Sequence, residues 1–68
     1  MLKLKDFFDS ADENALCKIV DINGKVLLDN KSVYEITELY EQYFHYHIIN
    51  FSVMQNCLYI IIDVDFKN

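Results

Sequence analysis

Ser32-Val33-Tyr34-Glu35-Ile36-Thr37-Glu38-Leu39-Tyr40-Glu41-Gln42-Tyr43-Phe44 reads as a helix with a marked beginning. Ser32 and Glu35 have the spacing of a capping box, in which the hydroxyl accepts from the Glu35 amide and the carboxylate reaches back to the Ser32 amide. At about 100° per residue, Val33, Ile36, Leu39, Tyr40, Tyr43 and Phe44 fall on one arc, and Tyr34, Glu35, Thr37, Glu38, Glu41 and Gln42 on the other. One side suits a core and the other suits water. The stretch holds three glutamates and no lysine or arginine, so its wet side carries unbalanced negative charge.

A hairpin pattern lies on each side of it. Residues 15–29 contain Asn23-Gly24, the strongest short signal for a type I′ turn, because Asn tolerates positive φ and Gly accepts it freely. Pairing about that turn directs Ala15, Cys17, Ile19, Val26 and Leu28 to the core and Lys18 to solvent, and leaves Leu16, Val20 and Leu27 on the opposite face. Residues 45–54 and 57–66 form the second pair of strands around Gln55-Asn56, a weaker turn signal. Alternation there groups Ile49, Phe51 and Val53 with Leu58, Ile60, Ile62 and Val64, and sets Asn50, Ser52, Tyr59, Asp63 and Asp65 on the other face. Near the start, Leu2, Leu4, Phe7, Phe8 and Ala11 recur at helical spacing. A helix this short holds only by burying Leu4 and Phe7 or Phe8 against the sheet. The polar run 9–14 reads as a loop. The expected architecture is α+β in the order α-β-β-α-β-β. It has a four-stranded, mainly antiparallel sheet with the main helix across one face, and the last, most apolar strand in a central position.

The 68 residues suit one domain, 1–68, which removes only about 60% of its unfolded surface from water and leaves little room for a deep pocket. A net charge of −5, six scattered lysines and no arginine argue against direct binding of nucleic acid, which needs clustered cations to displace counterions. The same charge suits a basic protein surface. Cys17 and Cys57 form no C-x-x-C motif and read as reduced thiols. Asp6 and Asp9 interrupt any apolar leader, and the longest apolar run, Leu58 to Ile62, is far below the roughly 18 residues of a membrane span. The expected compartment is the cytoplasm.

Residues suited to chemistry are few. Asp21-Ile22-Asn23-Gly24 has the opening of a calcium loop, but Ser32 stands where the twelfth-position glutamate belongs. His45 and His47 point the same way on a strand and, with Cys17 or Cys57, offer metal-ligand atoms at a spacing that matches no common zinc pattern. Asp63 and Asp65 alternate on one strand face, with carboxylates about 7 Å apart given the strand rise, but a chain of this size seldom builds the cleft that paired carboxylates serve. No nucleophile with a recognisable base and no phosphate-cradling glycine loop is present. The expectation is a protein that is not an enzyme and needs no cofactor or metal. The partner-binding candidates are Tyr34, Glu35, Glu38 and Glu41 on the helix, with Tyr59, Asp63 and Asp65 on the last strand. They place exposed aromatic rings beside acidic groups.

Leu4-Lys5-Asp6-Phe7-Phe8, the segment Lys18-Ile19-Val20-Asp21-Ile22-Asn23-Gly24-Lys25-Val26-Leu27, and Leu58-Tyr59-Ile60-Ile61-Ile62 together carry a resemblance over nearly the whole length. The chain resembles short, acidic, uncharacterised proteins of phages and other mobile elements of AT-rich bacteria, some of which look like anti-CRISPR or other anti-defence inhibitors. That resemblance implies an inhibitor that occupies the nucleic-acid groove of a host nuclease; it carries over no site residues. The alternative expectation is a structural or assembly module, a homo-oligomer joined through a sheet edge or through Leu16, Val20 and Leu27.

Overall fold

Ser32 caps its helix as the spacing requires. In the structure, a computed structural model that describes residues 2–64, the Glu35 amide donates to Ser32 Oγ at 3.1 Å and the Ser32 amide donates to the Glu35 carboxylate at 3.4 Å. The order of elements is α1 (Leu4–Asp9), β1 (Leu16–Asp21), β2 (Val26–Ser32), α2 (Val33–Leu39), β3 (His47–Met54) and β4 (Cys57–Asp63). A short 3-10 turn, Glu41–Tyr43, follows α2. The sheet runs β2-β1-β4-β3. Both hairpins are antiparallel, whereas β1 and β4 run parallel, so the sheet is mixed. The last strand is central, as its composition suggested. That strand, expected to continue to Phe66, ends at Asp63, with Val64 in a turn; residues 65–66 lie outside the described residues.

Both helices pack on one face. Leu4 and Phe8 of α1 and Val33 and Ile36 of α2 form a single buried cluster with Cys17, Ile19, Leu28, Ile48, Ile60 and Ile62 of the sheet. Each helix is too short to persist by itself, and the neighbouring backbone satisfies its opening amides. In α1, the Leu4 and Lys5 amides donate to the carbonyls of Tyr46 and Phe44 at 3.1 Å each. In α2, Val33 and Tyr34 donate to the carbonyls of Ala15 and Glu13 at 2.9 Å each. The first turn of each helix is thereby fastened to a different part of the chain.

Several expectations are corrected. The main helix ends at Leu39, with Tyr40 at φ −132°, and does not reach Phe44. The 3-10 turn changes the phase of the chain. Tyr40, Tyr43 and Phe44 still pack against the core, while Leu39 turns outward and is 67% exposed. The Asn23-Gly24 dipeptide is not the centre of a type I′ turn. Ile22 and Asn23 occupy the centre, the Gly24 amide closes the turn on the Asp21 carbonyl at 2.9 Å, and Gly24 alone has positive φ, at 90°. This is the three-residue hairpin loop with a glycine bulge. Asp21 selects it, since its buried carboxylate accepts from the amides of Asn23 at 2.8 Å and Lys25 at 3.0 Å. The primed turn occurs instead at Gln55-Asn56, where both residues have positive φ, 51° and 64°.

Bulges account for the side chains found on unexpected faces. Leu27 is an extra residue in β2, so Val26 pairs with Val20 and stands exposed on the face away from the helices. Val20 is also on that face, yet it is buried, flanked by Val26 and Ile61 in the adjoining ladders. Ile49 is an extra residue in β3, so Ile48 takes the core position and Ile49 lies exposed. His45 precedes β3 in an exposed bend and does not share a strand with His47, which is buried. Among the described residues no helix is long and apolar enough to cross a membrane.

Candidate functional site

A groove of about 320 Å³ runs between the two helices. Phe8, Ala11, Val33 and Phe44 form its apolar floor, and Lys5, Asp9, Glu13, Tyr34 and Thr37 line it above. The floor is fixed by an edge-on contact between Phe8 and Phe44, whose ring centroids lie 6.2 Å apart with planes at 85°. The loop before β1 reaches the groove because the Tyr34 amide donates to the Glu13 carbonyl. A shallower hollow adjoins the groove at Lys5, Glu41, Gln42, Phe44 and His45.

The helical side of the molecule thus presents Asp9, Glu13, Glu38 and Glu41, all exposed, together with Tyr34, which is 55% exposed. Lys5 is the cation shared by both hollows. Asp6 and Asp12 lie on the same side but are engaged locally, accepting from the amides of Lys3 at 3.3 Å and Asn14 at 2.8 Å. Sequence reading placed Asp9 and Glu13 in a plain loop. The signal that they belong with the acidic helix was the density of carboxylates between Asp9 and Glu13, but only the loop's return to α2 makes it spatial.

The seven residues singled out from the sequence do not form one patch. Tyr34, Glu38 and Glu41 lie on the helical side. Glu35 belongs to the same helix, but it is half-buried and its carboxylate is committed to Ser32, accepting from both the amide and Oγ at 3.4 Å. Tyr59 and Asp63 are on the far face of the sheet, half-buried, in register with Ser52 and His47 respectively. Asp65 lies outside the described residues.

The remaining reactive groups are dispersed. Cys17 pairs with Leu58 and Cys57 with Leu16 on adjacent strands, one step out of register, so the pleat sends the two thiols to opposite faces. Burial, with the nearby Cys57 adding to it, pushes the Cys17 thiol up from 9.0 to about 12. A thiol held so firmly protonated is a packing group at neutral pH. Among the described residues no three His, Cys, Asp or Glu side chains gather as metal ligands would, and no buried side-chain nitrogen or oxygen lacks a partner. What this arrangement offers chemically is a negatively charged, aromatic-rimmed surface over an apolar groove. No protein-family model matches the chain, and no curated protein or solved structure is significantly similar to it.

Proposed function

We propose that this protein is a non-catalytic binding protein whose helical side docks on a basic surface of another protein, in the manner of an inhibitor that competes with nucleic acid for a cationic groove. The observation that carries this reading is that exposed carboxylates gather on the helical side: Asp9 and Glu13 line the groove beside Tyr34, Glu41 lines the adjoining hollow, and Glu38 stands exposed on α2. Carboxylates gathered on one side steer a positively charged partner and oppose other acidic surfaces. Tyr34 supplies the large, adaptable contact area that interfaces favour.

The test is retention of basic proteins from a host extract by the immobilised chain at low salt, with release as salt rises. The Glu38→Lys/Glu41→Lys double variant is expected to lose that retention. Glu35 is left intact because it caps α2 and its reversal would weaken the fold as well as the surface. Retention unchanged by the double reversal would remove the helical side from this proposal.

A further inference from the structure

The two edges of the sheet are finished differently. β2 is guarded: it carries Asp29 and Lys31, a bulge at Leu27, and a second irregularity at Asn30, whose φ is 54°. Charges and bulges of this kind discourage another strand from pairing. β3 has one bulge, at Ile49, and from there to the turn it carries no charged residue. Its first residues are covered, since the Ile48 amide donates to the Leu2 carbonyl and Lys3 bridges to His47. From Asn50 to the turn the strand is regular and uncharged, with Phe51 49%, Val53 68% and Met54 57% exposed. Counting outward from the Met54–Cys57 pair that closes the turn, Ser52 and Asn50 bond to β4, and Phe51 and Val53 direct their N–H and C=O groups away from the sheet. The Phe51 amide is held by the side chain of its own neighbour, Asn50 Oδ1, at 2.8 Å. This local bond occupies a ladder donor that has no strand beside it.

We infer that the β3 edge pairs with the β3 edge of a second copy of this chain, antiparallel about a two-fold axis at Ser52, to make one eight-stranded sheet. Three observations favour a second copy. Ile48 to Ile62 contains no Asp, Glu, Lys or Arg, whereas the chain as a whole has a net charge of −5. Two copies that met on their acidic sides would oppose like charges, and two that meet along β3 do not. The register about Ser52 sets Phe51 opposite Val53 of the other copy on both sides of the axis. That arrangement bonds the outward groups of both residues, the Phe51 amide exchanging Asn50 Oδ1 for the Val53 carbonyl of the other copy, and makes two aromatic to β-branched cross-strand pairs. Finally, Ile49, Phe51, Val53 and Met54 are each about half exposed or more. The inference does not depend on the acidic helical side, which is a separate surface.

Sedimentation equilibrium over a wide concentration range tests it. The wild type is expected at twice the single-chain mass of 8.1 kDa. Ser52→Glu and Ser52→Lys each place like charges directly across the axis, and each is expected to weaken the dimer at least about tenfold. An equimolar mixture of the two variants is expected to restore dimer, which a misfolded variant could not do. Hydrogen exchange at the Val53 amide is expected to slow as concentration rises. A wild type at the single-chain mass throughout, or a dimer indifferent to both Ser52 variants, would overturn the inference. So would a monomer whose Val53 amide becomes protected only when an extended apolar peptide is added, because the edge would then belong to a foreign strand.

Discussion

A left-handed backbone costs an L side chain about 1–2 kcal/mol, and the β3–β4 turn asks this of two successive residues, Gln55 and Asn56, with φ of 51° and 64°. Asn56→Gly is therefore expected to stabilise the protein by about 0.5–1 kcal/mol, seen as a rise in Tm of roughly 4–8 °C per kcal/mol for a domain of this size. An unchanged or lower Tm would mean that the turn is not held in the primed conformation. The first hairpin shows why turn chemistry is only partly legible in a chain. Asn23-Gly24 correctly marked the reversal, and Gly24 does take the positive φ. The loop type depended on Asp21, whose carboxylate binds two amides and so moves the turn's centre back to Ile22-Asn23. That is a side-chain preference that a two-residue motif does not encode.

At the scale of elements, starts were easier to read than stops. The beginning of α2 is written in Ser32 and Glu35, because a cap is a local hydrogen-bonding arrangement. Its end at Leu39 has no glycine or proline to announce it. There the chain tightens into a 3-10 turn, which still lets Tyr40, Tyr43 and Phe44 reach the core and brings the carbonyls of Phe44 and Tyr46 to the first amides of α1. The strands behave alike: their alternation was visible, but the bulges at Leu27 and Ile49 that reassign Val26, Ile48 and Ile49 answer to the twist and closure of the whole sheet. The weight carried by the cap can be measured. Ser32→Ala is expected to cost about 1 kcal/mol, read as a lower urea midpoint with an unchanged slope. A neutral result would indicate that the amides donated to Ala15 and Glu13 are enough to hold the helix start.

At the scale of the molecule, the decisive fact is the parallel β1–β4 seam, which joins the two hairpins and which no local pattern could announce. It explains why the candidate site was only half legible: charge and exposure on α2 follow from periodicity, but the separation of Tyr59 and Asp63 from Tyr34, Glu38 and Glu41 follows from which face the helices cover. Cys17 lies on this seam, fully buried, with its thiol raised from 9.0 to about 12. Between those two values the unfolded chain has released the thiol proton and the folded chain has kept it, so unfolding liberates a proton. The contribution is therefore complete below pH 9.0 and is lost progressively as pH rises, at ~1.4 kcal/mol per pH unit from this group, until it levels off near 12. Urea midpoints measured in steps upward from pH 9.0 should fall in the wild type by more than in Cys17→Ala, which begins less stable because of the cavity but lacks this proton linkage. Equal alkaline slopes for the two proteins would show that the thiol titrates as freely in the fold as outside it, and that the seam around Cys17 admits water.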